Sequence, residues 1–353
     1  MRHGRVASPN GENMKKLAST NDIWYHIKDI ESKGKLFNFI TSVRSCGKTI
    51  DIKRRMVERF IEHEERFVYV RRRSTEIKSD KMREFFHKMQ SEVGYYQEHD
   101  LTFEKDIFYC NEKVMGYATA LSTSVNERSV DFVNVKDIYF EEYVLKEDGV
   151  HKYLEDEVFT FLELYSTIAR EEDVRVWFIG NKITEFNPYF LYFDIRPPEV
   201  GIKVWKDFAV ETWKKPDFIE HKKKSRFGKL IEGTSYSDYA VENEGYINNM
   251  DFKRPLPKRS VPYFRILNNS KIFTCYMCLD GTLEICERDD KKGDIITTQS
   301  NDFSPDTINI SYFKSTNVGQ IYILKLRKNK VFYDNSKSEE VKRIFDKKMY
   351  FLK

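Results

Sequence analysis

The sequence predicts an α/β fold: an open, mostly parallel sheet with helices on both faces, followed by a small mixed α+β unit. Two observations carry this. Over about 170 residues from Leu36, short apolar runs alternate with segments of helical periodicity, as strands joined by crossover helices do. Near Trp213 the texture changes to a lysine-rich stretch and then to Pro255, Pro257 and Pro262, before short strand-like runs resume.

In chain order, LFNFITSV from Leu36 reads as a buried strand. After the loop SVRSCGKT, the segment from Ile50 places Ile50, Met56, Val57, Phe60 and Ile61 at helical spacing. RFVYVRRR, ending at Arg73, is a second strand, with a polar helical segment after it. Short strands fall between Lys105 and Ser124, including VMGYATALS. DFVNVKDIYFEE, ending at Glu142, is a buried strand, EVFTFLELYSTIAREE an amphipathic helix, and VRVWFIGN, ending at Asn181, a further strand. In the tail, Asp280-Gly281 predicts a two-residue hairpin turn between alternating runs. Ser336 and Glu339 predict a capping box opening a last helix. The division that follows is a polar tail over 1–20, an α/β domain over 21–205, a linker or lid over 206–258 and a C-terminal domain over 259–353. Met14 is a candidate natural start, with residues 1–13 a leader.

The chain has 353 residues, 40% hydrophobic and 33% charged, with 27 Phe and 21 Tyr. That composition suits two cores of ordinary globular character. No apolar run is long enough to span a bilayer, so no membrane role is expected. The first 16 residues lack the apolar core of a secretion signal. The net charge of +4 permits a polyanionic partner without arguing for one. The odd, scattered cysteines Cys46, Cys110, Cys275, Cys278 and Cys286 read as core residues of a reducing compartment rather than as a zinc set.

The chemistry concentrates in Ser42-Val43-Arg44-Ser45-Cys46-Gly47-Lys48-Thr49, a phosphate-binding loop with Ser in place of the first Gly. A helix opening near Lys48 offers unpaired N–H groups and a positive dipole end to phosphate. Gly47 lets the backbone approach, Lys48 reaches the terminal phosphates and Thr49 offers a hydroxyl to Mg²⁺. Glu141 and Glu142 follow about ninety residues later at a strand tip, with room for one further strand between them and the loop. Glu141 is the metal-side candidate, with Glu where Asp is usual, and Glu142 the general-base candidate. Asn181 is either a γ-phosphate sensor or a strand-ending Asn in a turn. Arg44 lies inside the loop, while Arg128 and Arg170 are either surface arginines or residues that complete a neighbour's site in a ring. Two basic clusters, Arg71-Arg72-Arg73 and Lys222-Lys223-Lys224, are candidates for DNA phosphate contacts, which need donors but no base reading.

SVRSCGKT resembles the loop of large terminases. FNFITSVRSCGKT, RFVYVRRR, FEEY, NPYFLYFDI and SRFGKLIEGTSY together resemble the DNA-packaging ATPases of phi-twenty-nine-type phages, from about Lys35 to the C-terminus. The resemblance implies an ATP- and Mg²⁺-dependent P-loop ATPase of the catalytic-glutamate class, forming a ring of five subunits. That ring drives double-stranded DNA into a procapsid at its portal, in the host cytoplasm, in some relatives with a structural RNA. It implies trans-acting basic residues at Arg128 and, one position out of register, Arg170. It further implies a C-terminal domain like a degenerate RNase H-type nuclease, for which Asp280, Asp289 and Asp290 form no convincing carboxylate set. Rival readings are another translocase or helicase, a small-molecule phosphotransferase and a non-catalytic nucleotide switch.

Overall fold

The computed structural model describes residues 23–78, 82–124, 131–145, 152–181, 187–234, 237, 252–299, 302–328 and 330–351. The first sheet holds β1 (Phe37–Ser42), β2 (Arg66–Arg71), β3 (Leu101–Glu104), β4 (Ile107–Cys110), β5 (Lys113–Ala120), β6 (Val135–Glu141), β7 (Arg175–Asn181), β8 (Gly201–Trp205) and β9 (Phe208–Trp213). Its order is β3-β4-β5-β2-β6-β7-β1-β9-β8. The six strands from β5 to β9 run parallel, and antiparallel hairpins close both edges. β1 is buried along its whole length because both neighbours and both helical layers cover it, as expected of a central parallel strand.

The two faces have separate aromatic cores. On one, the helix Lys48–His63 buries Ile52, Met56, Val57 and Phe60 over Tyr69, Tyr139 and Trp177. That helix is closed by Glu64 in the left-handed conformation, φ 54°. Ile61, expected in the same stripe, is 39% exposed. On the other face the helix Glu157–Ala169 covers Phe39 and Phe178, whose rings stack at 4.3 Å.

β7 inserts between β1 and β6, so the tip of β7 lies between the phosphate loop and Glu141. The sheet also runs past the boundary drawn at residue 205. β9 pairs with β1 in full register, from Phe37 opposite Phe208 to Ser42 opposite Trp213. The segment 206–258 therefore opens with a buried strand of the first domain.

The second sheet holds β10 (Val261–Asn268), β11 (Lys271–Met277), β12 (Leu283–Cys286), β13 (Ile295–Thr297), β14 (Thr307–Asn309) and β15 (Val331–Tyr333), in the order β14-β13-β10-β11-β12-β15. β10 to β12 are antiparallel, while β13 and β14 run parallel to β10, a mixed α+β arrangement. This unit begins before residue 259. Lys253 bridges Tyr333, and Arg254 bonds Glu284 at 2.9 Å. Two local expectations change. Met277 pairs with Leu283 and Cys278 N–H bonds Thr282 O, which makes a three-residue loop with Gly281 at φ 74° rather than a two-residue turn. The last helix, Ser336–Phe351, is capped by Asn335, whose Oδ1 accepts from Lys337 and Ser338 N–H, not by Ser336. Glu339 instead pairs with Arg196 at 3.5 Å. That helix packs on the helix Pro188–Phe193 of the first domain through Tyr192 and Phe351.

Candidate functional site

Parallel strands bring their carboxyl ends to one edge, where open α/β sheets bind ligands. Here that edge carries the loop after β1, Glu141 and Glu142 after β6, Asn181 at the end of β7 and Arg71 at the end of β2. The loop turns through Ser45 and Gly47, with φ 63° and 88°, to present the amino end of the helix Lys48–His63. Ser42, in the place of the first Gly, is buried, and its hydroxyl receives the Cys46 thiol at 3.2 Å, closing the loop on itself. The loop is also braced from outside. Tyr25 N–H bonds Cys46 O at 3.0 Å, the Trp24 ring lies against Gly47, and Lys222 donates to Arg44 O at 3.1 Å.

Lys48 is buried, its ammonium donating to Gly180 O at 2.5 Å and facing Asn181 Oδ1 at 3.4 Å. Burial lowers its pKa, against the pull of Cys46, Glu141, Glu142 and Glu211. Asn181 thus touches the loop lysine and is not merely a turn residue. Thr49 Oγ1 donates to Glu141 Oε1 at 2.9 Å. Tyr69 hydroxyl donates to Glu141 Oε2 at 2.5 Å, and Arg71 approaches the same oxygen at 3.4 Å. Burial would raise the Glu141 pKa, but Tyr69, Arg71, Lys53 and Thr49 outweigh it and hold it below the ordinary carboxylate value. Lys53, one turn along the helix from Thr49, is pushed down to about 8 by burial, against Glu141 and with help from Arg71. Glu142 carries φ 60°, and its backbone N–H bonds Ile179 O at 2.7 Å, so the chain turns sharply where the carboxylate is presented. Its side chain is half-exposed and pairs with Arg71 at 2.7 Å.

The arginine cluster after β2 does not face solvent as a DNA-contacting set. Arg71 is held by Glu76, Glu141 and Glu142. Arg72 is 3% exposed, with Nε and Nη2 on Glu157 at 2.7 and 2.9 Å and further bonds to Glu142 O and Tyr143 O. Both were expected on DNA. Glu142 and Glu157 lie about seventy and eighty-five residues away in sequence, and charge clustering alone does not reveal them, although Glu76 lies five residues from Arg71. Arg73 is exposed and reaches Lys152 O. Of the second cluster, Lys222 braces the loop, Lys224 pairs with Glu220 at 2.6 Å, and Lys223 is exposed. Arg44 is exposed at the loop. Arg170 ends the helix Glu157–Ala169 and pairs with Asp131 at 3.0 Å. That helix starts on the site side of the sheet and runs back about 20 Å, so Arg170 lies towards the opposite edge of the sheet, before β7 begins. Arg128 lies outside the described residues.

Tyr69, Lys53 and Arg71 as carboxylate partners were not anticipated. The available signal was period two: Tyr69 and Arg71 share a strand face, and register with β6 puts that face beside Glu141. Among the described residues no three His, Cys, Asp or Glu side chains gather as a metal site. Thr49 and Glu141 do supply an adjacent hydroxyl and carboxylate, a hard-oxygen pair that fits Mg²⁺ bound mainly through phosphates and water.

The DNA packaging protein of Bacillus phage phi29 is 29% identical over 299 residues, covering 83% of this chain and 88% of the relative. The crystal structure of the N-terminal domain of the DNA packaging ATPase from bacteriophage phi29 matches with TM-score 0.51 and 31% identity, over 55% of this chain and 98% of that one. A chain of the bacteriophage Phi-29 viral genome packaging motor assembly matches with TM-score 0.59 and 26% identity, over 92% and 99%. Residues 20–350 match the family described as podovirus DNA encapsidation protein (Gp16), and the chain belongs to that family.

Proposed function

We propose that this protein hydrolyses ATP, with Mg²⁺, to drive double-stranded DNA into a preformed procapsid, acting as a ring at the portal in the host cytoplasm. The observation that carries the reading is the convergence of Lys48, Thr49, Glu141 and Glu142 on one edge of the sheet, in a chain whose relatives are packaging proteins. The terminal phosphates of ATP would lie on the helix amino end beside Lys48. Thr49 and Glu141 would hold Mg²⁺, which neutralises phosphate charge when bound. Glu142 would take the proton of the attacking water. In the geometry described, a carboxylate oxygen of Glu142 is occupied by Arg71 at 2.7 Å and is not presented to a water. Turnover therefore requires Arg71 to let go of Glu142, and the exposed end of the Glu142 side chain leaves it room to move. The exposed cations Arg73 and Lys223 remain as candidates for DNA phosphate contacts.

Lys48→Ala should abolish ATP binding, whereas Glu142→Gln should bind ATP and not turn it over, because phosphate neutralisation and water activation are separate jobs. Fluorescent-nucleotide titration and phosphate release measure the two. Normal turnover by Glu142→Gln removes the base assignment. A rate unchanged by procapsids and DNA removes the packaging role while leaving the ATPase.

A further inference from the structure

The cation-side carboxylate here is a glutamate, one methylene longer than the usual aspartate, and a longer side chain has another rotor to fix before it can hold an ion in one place. The structure shows what fixes it. Tyr69, on β2, and Glu141, at the end of the neighbouring β6, lie on the same sheet face, because Tyr69 pairs with Tyr139 two residues before Glu141. The Tyr69 ring is 5% exposed and set edge-on to Phe85 with centroids 4.7 Å apart, so its hydroxyl cannot wander. That hydroxyl donates to Oε2 at 2.5 Å, which leaves Oε1 on the Thr49 hydroxyl at 2.9 Å. One carboxylate oxygen is thus held by the strand next door and the other faces the loop. A phenylalanine would pack the same cavity, so the hydroxyl answers to the carboxylate and not to the core.

We propose that Tyr69 is a positioning residue that presents the Glu141 carboxylate to the nucleotide-bound cation, and that it is what allows glutamate to serve there. The proposal rests on the nucleotide-site reading above. Its test uses the full chain with ADP, and Mn²⁺ followed by electron paramagnetic resonance as the cation probe. Tyr69→Phe should lower Mn²⁺ affinity in the presence of ADP by about ten-fold, the loss expected for one hydrogen bond to a charged group. ADP affinity measured in EDTA should stay at the wild-type value. In a Glu141→Asp background the shortened carboxylate no longer reaches the hydroxyl, so adding Tyr69→Phe should cause no further loss. Unchanged Mn²⁺ affinity in Tyr69→Phe overturns the proposal. So does an equal extra loss in the Glu141→Asp background, and so does a parallel fall in metal-free ADP affinity, which marks a merely structural tyrosine. A wild-type chain that takes up no ADP overturns the nucleotide reading itself, and the proposal with it.

Discussion

Glu211 is a buried carboxylate beneath the phosphate loop, opposite Ile40 on β1, and it accepts the Tyr25 hydroxyl at 3.0 Å. Burial raises its pKa from 4.5 to about 7, with Tyr25 opposing, Asp29 adding, and Lys48 and Lys215 opposing. Between those values the folded chain keeps a proton that the unfolded chain has lost. Stability therefore falls as pH rises through that window, and the whole penalty is present above about 7. A rise of that size corresponds to roughly 3–3.5 kcal/mol. Glu211→Gln keeps an acceptor for Tyr25 and cannot ionise. Urea midpoints at pH 5 and pH 8 should show the wild-type chain losing more stability than the variant across the interval. Equal losses would mean that Glu211 ionises freely in the fold. The same residue shows why single positions are hard to read from sequence: a Glu followed by Thr212 in a strand looks solvated, and pairing with β1 buries it.

Arg72 acts at the scale of elements. Its guanidinium joins the end of β2 to the turn at Glu142 and Tyr143 and to Glu157 at the head of the helix Glu157–Ala169, while Tyr189 also reaches Glu157. This strut holds the backbone behind the candidate base. Arg72→Ala leaves Glu157 buried without its charge partner, and a loss of about 3–5 kcal/mol in urea unfolding is expected. Arg72→Lys should recover little, because one ammonium cannot span a carboxylate and two carbonyls; full recovery would show that charge alone suffices. Elements with a one-dimensional signature were legible in the sequence. β1, β2, β6, β7 and the helix after the loop announce themselves by apolar runs or 3.6-residue spacing, and with them came Lys48, Thr49, Glu141 and Glu142. The pair β8–β9 was missed because β8 is largely exposed and β9 carries Glu211 and Thr212, so GIKVWKDFAVETW lacks a clean alternation. The burial of Arg72 depends on Glu157, which no local window contains, whereas Arg71 had one nearby partner, Glu76, beside the distant Glu141 and Glu142.

At the scale of the molecule, two domains are joined by a helix contact, and the second can be tested as a unit. Arg254 lies 3.8 Å over Phe332 and bonds Glu284, which is fully buried and pushed up to about 7 by burial even beside that arginine. A fragment of residues 252–353 should therefore unfold at a higher urea concentration than one of residues 259–353, which strands Glu284; equal midpoints would place the boundary later. Neither should cut DNA with Mg²⁺ or Mn²⁺, since two-metal cleavage needs converging carboxylates, and Arg265 on β10 is bonded to Asp289; metal-dependent cleavage by either fragment would overturn this. The assembly adds a stricter test. Arg170 stands at the edge of the sheet opposite its own site, so if it serves catalysis it does so in a neighbour, as Arg128 would by the family resemblance. A cation beside the γ-phosphate in the transition state contributes about three to five powers of ten in rate. Subunits of Glu142→Gln keep both arginines but cannot hydrolyse. Subunits lacking Arg128 and Arg170 keep Glu142 but cannot serve a neighbour. Each protein alone should be nearly inactive. In mixed rings a Glu142-bearing subunit receives its arginines from a Glu142→Gln neighbour, and part of the phosphate release should return in proportion to such pairings. If the arginines act within their own chain, no pairing rebuilds a complete site. Rings shown by cross-linking to be mixed, yet still inactive, would end the trans assignment.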